Sequence, residues 1–186
     1  MIIAISGRPG AGKTTLAKHL AETYGMRYVS AGDMFRKIAA KHGFEPHGES
    51  FLKFHEKLEK DPKLSKNIDE EIDQRVIEEA EDGNVVIEGW LAPHMIKNAD
   101  LRIFLNVSSG LAAERIAFRE EDDREHEFHI TIKREESFVR RAKSEYNIDI
   151  NDVSDFDIVL NTEKFEPEDT QEIIETAINI LKQSKG

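Results

Sequence analysis

The chain has 186 residues, a length that fits one domain with its own core. Its 37 acidic residues outnumber 26 basic ones, and the formal net charge of −11 excludes a general affinity for nucleic acid or an anionic membrane surface. The absence of cysteine excludes disulfides, thiolate chemistry and cysteine-based zinc sites.

The opening Met1-Ile2-Ile3-Ala4-Ile5-Ser6 has no basic leader and too short an apolar run for a signal peptide or membrane span, so a cytoplasmic location is expected. Ile2 to Ile5, closed by Ser6-Gly7, reads as a strand buried on both faces. A glycine-rich loop follows, and from Thr14 the spacing turns helical: Leu16, Leu20 and Tyr24 recur every fourth residue until Gly25. Arg27-Tyr28-Val29 reads as a second strand, followed by Ser30-Ala31-Gly32-Asp33 and a helix from Met34 towards His42. Phe51 to Asp82 is charged and mostly helical, with a break at Asp61-Pro62; Asn84 to Glu88 and Leu101 to Val107 are the third and fourth strands. A helix from about Ser109 runs into the charged stretch Glu120 to Glu127, and another helix carries Arg134 to Tyr146. Asp157 to Asn161 is a fifth strand, and after Pro167 a last helix is expected to bury Ile173, Ala177, Ile180 and Leu181 on one stripe. The alternation predicts an α/β fold, a five-stranded parallel sheet with helices on both faces, in one domain.

Gly7-Arg8-Pro9-Gly10-Ala11-Gly12-Lys13-Thr14 fits the P-loop pattern, with the required strand before it and helix after it. Glycines let backbone amides converge on phosphate oxygens, and the helix N-terminus turns its positive dipole end to the same anion. Residues Gly7 to Thr15, with Thr15 close behind the motif, are the candidate ATP-phosphate site; Lys13 would bridge the β- and γ-phosphates and Thr14 would ligate Mg²⁺ directly. Glu88 ends a buried strand where a second carboxylate would hold that ion through water, and Asp33 is the other acidic candidate. Neither a guanine-reading motif nor a transporter signature is present, which favours a small-molecule kinase.

Ser30-Ala31-Gly32-Asp33-Met34-Phe35-Arg36 resembles the acceptor-binding turn of nucleoside monophosphate kinases. Val29 to Arg36, Asp69 to Arg75, Asn84 to Ala92, Ala113 to Glu120, and Tyr146 to Ile150 through Asp157 together resemble the archaeal-type cytidylate kinases. That resemblance implies a P-loop NTPase fold with an acceptor-binding helical region at about residues 33–82 and a lid at about 119–134. It implies Mg-ATP-dependent phosphoryl transfer to CMP or dCMP by a monomer, with nucleotides as its partners and no nucleic acid or membrane. Lys13, Arg119, Arg134 and Arg141 would be catalytic, with Arg140 an extra. Ser30, Asp33, Arg36, Asp73, Arg75, Glu88 and Gly89 would bind the acceptor, Arg36 gripping its phosphate.

Arg115 and Arg119 lie four apart and Arg134 and Arg141 seven apart, so each pair shares a helix face. Cytosine presents an amino donor beside two acceptors, so its reader needs a carboxylate and a cation; Asp73 and Arg75 match the family positions. His126 and His129 read as part of a solvated lid. The chain departs from the family at Trp90, where arginine is usual: an indole can stack on a base but cannot clamp a phosphate. Arg102 is a candidate replacement cation. A kinase acting on UMP or AMP, and a nucleotide-dependent switch that transfers no phosphate, are the alternative readings.

Overall fold

The computed structural model describes residues 1–120 and 124–184. Strands β1 (Ile2–Gly7), β2 (Arg27–Ser30), β3 (Val85–Glu88), β4 (Leu101–Asn106) and β5 (Ile158–Asn161) form one sheet in the order β2-β3-β1-β4-β5, every pair parallel. The helices are α1 (Lys13–Tyr24), α2 (Ala31–Lys41), α3 (Gly48–Lys60), α4 (Pro62–Glu81), α5 (Ala92–Met95), α6 (Ser109–Glu120), α7 (Arg124–Tyr146) and α8 (Pro167–Ser184).

Strand alternation divides the core. Ile2 and Ala4 of β1 face a cluster with Phe54, Leu58, Ile68 and Val76 of the α3–α4 side, whereas Ile3 and Ile5 face Leu16, Leu20, Ile174 and Ile178 of α1 and α8. Both faces of β1 are therefore covered, as its unbroken apolar run requires. Asp61 caps α4 by accepting from the Leu64 amide at 3.0 Å, with Pro62 in the first turn, so the break at Asp61-Pro62 is a true helix boundary.

Two expectations change. The buried stripe of α8 is Ile174 and Ile178 with Leu181 packed beside them, as expected of Leu181, while Ile173 and Ile180 are exposed, because α8 turns a face one residue around its helical wheel towards the cluster that it shares with α1. The charged stretch before Arg134 is largely helical, since α7 starts at Arg124. Of the expected lid, residues 121–123 lie outside the described residues.

Candidate active site

At the C-terminal ends of β1 and β3 the sheet opens into the crevice where parallel α/β folds place their ligands. Gly7 leaves β1 at φ 141°, and a Cβ there would stand 2.0 Å from the Leu105 carbonyl oxygen, so the loop can turn against β4 only with glycine. The Arg8 amide donates to that carbonyl at 3.1 Å and the Ala11 amide to the Arg8 carbonyl at 3.2 Å, folding the loop back on itself. Gly12, at φ 91°, enters α1 with no side-chain cap. Because Leu16 N–H to Gly12 C=O (3.0 Å) is a first-turn ladder bond, the amides of Lys13, Thr14 and Thr15 precede it and meet no capping side chain, which suits an anion.

Lys13 reaches back over the loop, its Nζ donating to the Arg8 carbonyl at 2.9 Å. Burial lowers its pKa to about 8, Glu88 opposes that shift, and Arg134, Arg36 and Arg119 add to it. Those three guanidiniums therefore act on the same ammonium group, and Arg141 is not among them. Glu88 is buried, and its Oε1 accepts from Thr14 Oγ1 and Tyr28 OH, each at 2.8 Å. Burial, reinforced by Glu88, pushes the Tyr28 phenol up, which keeps it a donor to the carboxylate. Thr14 and Glu88 thus place two hard oxygen donors beside the open helix end, a donor set that fits Mg²⁺.

A cavity of about 960 Å³ extends from this loop to α2, α3, α4 and α7. Pro9 to Thr15, Asp33, Arg36, Asp73, Glu88, Gly89, Arg119, Arg134 and Arg141 all line it. Gly7, Arg8, Ser30 and Arg75 do not. Arg8 pairs with Glu135 of α7 at 3.3 Å, and Ser30 caps α2 by accepting from the Asp33 amide at 3.1 Å. Arg75 stands exposed on α4, because its position two residues from Asp73 turns it to another helix face. The carboxylate–cation pair expected from Asp73 and Arg75 is therefore not assembled.

Arg36 donates to Asp33 Oδ1 at 2.6 Å, so each is held at the cavity wall by the other. Gly89 has a packing reason as well: a Cβ there would come 2.7 Å from the Ala31 Cβ. Trp90 packs edge-on against Phe138 of α7, ring centres 4.1 Å apart, while its carbonyl accepts from Ser6 Oγ at 2.7 Å. Arg102 does not replace the missing cation: its guanidinium donates to the carbonyls of Pro93 (3.2 Å), Ile96 (3.1 Å) and Lys97 (2.9 Å), tying down the end of α5. Arg115 braces the turn after β5, donating to the Thr162 carbonyl at 2.9 Å. Arg140 pairs with Glu59 at 2.6 Å on the surface, and His126 with Glu49 at 3.5 Å.

The far end of the cavity joins Arg141, Arg134 and Asp73 to groups that sequence reasoning gave no role, among them His55, Asp69 and Tyr146. Arg141, 8% exposed, donates to Asp69 Oδ1, and its Cζ lies 5.5 Å from the Phe35 ring centre. Tyr146 OH donates to Asp73 Oδ2. Burial raises both aspartates, opposed at Asp69 by Arg141 and at Asp73 by the Tyr146 hydroxyl. Arg134 places its Cζ 4.9 Å from the Phe51 ring centre. His55, buried beside Arg134 and Arg141, is pushed down to about 3 by burial first and those cations second, so it is neutral at working pH. No local motif pairs these residues with one another; the helix packing that assembles them was the missing signal.

This fold and this loop define a P-loop kinase. Solved structures agree on the fold: an uncharacterised protein from Eubacterium ventriosum (TM-score 0.70, 17% identity, 96% of this chain and 98% of that one) and a shikimate kinase from Bacteroides thetaiotaomicron (TM-score 0.59, 16%, 96% and 98%). A deoxyadenosine kinase from M. mycoides with bound dATP superposes with TM-score 0.58 at 17% identity, covering 96% of this chain and 100% of that one. In sequence, residues 2–164 match the cytidylate kinase-like family. Cytidylate kinases of Pyrococcus horikoshii (43% identical, 97% of this chain, 90% of the relative) and Methanocaldococcus jannaschii (42%, 98% and 99%) align along nearly the whole length. The chain belongs to the cytidylate kinase-like family.

Proposed function

We propose that this protein is a cytidylate kinase that moves the terminal phosphoryl group of ATP to CMP or dCMP, giving ADP and the diphosphate. The observation that supports this most is one continuous cavity with the uncapped α1 terminus and Lys13 at one end and a buried carboxylate–guanidinium cluster at the other. It offers one site for a polyphosphate and another for a base, with Arg36, Arg119 and Arg134 between them as cations that an acidic protein must supply locally.

In this reading the amides of the Gly7–Thr15 loop hold the donor phosphates, and Lys13 neutralises charge on the transferring group. Arg36, fixed by Asp33, grips the acceptor phosphate, and Arg119 and Arg134 gather charge as the acceptor oxygen approaches phosphorus. The acceptor phosphate is already ionised near neutral pH, so its oxygen needs no base to remove a proton. Thr14 would ligate Mg²⁺ directly and Glu88 would hold its water, the ion supplying charge neutralisation on the donor phosphates; Asp33, already committed to Arg36, is the weaker member of that set. Residues of about 33–82 form the acceptor arm and about 119–134 the cover that excludes water from the transfer. The protein would work as a monomer in the cytoplasm.

The test is coupled ADP production with Mg-ATP and each of CMP, dCMP, UMP, AMP and GMP. Turnover led by CMP or dCMP is expected. Leadership by another monophosphate would overturn the cytosine assignment, and no stimulation by any of them would overturn the kinase reading itself.

A further inference from the structure

Two nitrogens of Arg141, Nε and Nη1, are buried with no hydrogen-bond partner. That is costly for a guanidinium, because a buried donor left unmet loses its hydration without recompense. The residue is not loose: Nη2 is tied to Asp69, the ring of Phe35 lies 5.5 Å from its Cζ, and it lines the cavity. A fixed cation with two nitrogens unmet, facing a cavity, is arranged for a ligand that brings acceptors.

Asp73 stands one turn from Asp69 on α4 and lines the same cavity. Tyr146 donates to its Oδ2, which orients the carboxylate and leaves its chemistry that of an acceptor. Apolar neighbours, Ile72 and Val76 on the same helix, wall the cavity beside it. A flat heterocycle with an amino donor next to ring acceptors complements this set, and cytosine has that edge: N4 donates, N3 and O2 accept. Uracil reverses two of the three, turning an N3–H donor towards the guanidinium and an O4 acceptor towards the carboxylate.

We infer that Arg141, oriented by Asp69, is the cation that reads the cytosine edge together with Asp73, the part that the sequence spacing had suggested for Arg75. The inference rests on the cytidylate kinase reading and narrows it. Arg141 thereby becomes a specificity residue at the acceptor base instead of a catalytic arginine at the phosphates, consistent with its absence from the charges that act on Lys13.

The experiment is kcat/KM for CMP and for UMP, at one fixed Mg-ATP concentration, in the native protein, Arg141→Gln and Asp73→Asn. The readout is the CMP-to-UMP ratio, which cancels losses of folded enzyme common to both substrates. Native protein favours CMP; in Arg141→Gln the ratio falls by about tenfold or more, as expected for losing a charged hydrogen bond. In Asp73→Asn the ratio falls and activity on UMP rises, because the new amide can donate to O4. If Arg141→Gln does not fold, Asp69→Asn carries the same ratio measurement by unfastening Arg141. A native preference for CMP with an unchanged ratio in the variants overturns this inference and leaves the kinase reading standing, reducing Arg141 to a cross-link between α4 and α7. A native protein without preference for CMP overturns this inference together with the cytosine assignment.

Discussion

At the β1–α1 end of the cavity the anion-facing groups are backbone amides and one lysine within residues 7–15, whereas at the far end Arg141 meets Asp69 across 72 residues of chain and Tyr146 meets Asp73 across 73. The first arrangement depends on backbone conformation, which glycine fixes locally. The second depends on two helices packing in one register, with charges buried as a result. Changes at the loop should therefore strike chemistry and spare stability, and changes at the far end should strike stability and base choice together.

Lys13→Ala is the largest test of that contrast. It should lower kcat/KM by about 10³-fold, the scale of losing a charge-stabilising donor at the reacting group, with far-UV circular dichroism and thermal midpoint near native. A collapse of the fold would break the comparison, because it would mean the loop lysine is also a structural part. Asp69→Ala comes next: it strands the buried Arg141 charge and should cost about 3 kcal/mol in urea unfolding, and Asp69→Leu with Arg141→Met should regain most of that.

The acid–base behaviour of Lys13 gives a smaller effect. Burial makes its ammonium group titrate near pH 8 in the free protein, and only the charged form can pair with phosphate, so kcat/KM for Mg-ATP should fall about tenfold per unit above that pH. The profile of kcat should stay flat further upward, since bound phosphate favours the charged form. Arg140→Ala, which breaks an exposed pair with Glu59, should change stability by less than about 0.5 kcal/mol. That pair ties α7 to α3, whereas Arg141 and Asp69 tie α7 to α4, so a large effect at Arg140 would show that the surface pair, not the buried one, sets the position of α7.

The same contrast explains what could be read in the sequence. The loop, its strand and its helix are contiguous, so pattern and spacing located Gly7 to Thr15, and the alternation of short apolar runs located all five parallel strands. Glu88 was legible because it ends a strand, but its hydrogen bond from Tyr28 was not, since it needs β2 and β3 to be neighbours. Asp73 lines the cavity and Arg75 does not, because proximity along a helix does not put two side chains on one face. The α8 stripe shifted by one position for a related reason: Ile173, Ile174, Ile178 and Ile180 offer two apolar faces, and only packing against the cluster shared with α1 selects between them.

Helix α7 joins both ends of the cavity, with Glu135 on the phosphate loop at Arg8 and Tyr146 on Asp73. It is 23 residues long, a rod of roughly 34 Å at the usual rise per residue. Pivoted at Tyr146, a swing of about 10° would carry its Arg124 end roughly 6 Å, given that length, while Arg141, close to the pivot, would hardly travel. Lever arithmetic thus ranks the contacts along one rod: in such a swing Arg141 and Tyr146 near its base would shift far less than Arg134 and Glu135 further out.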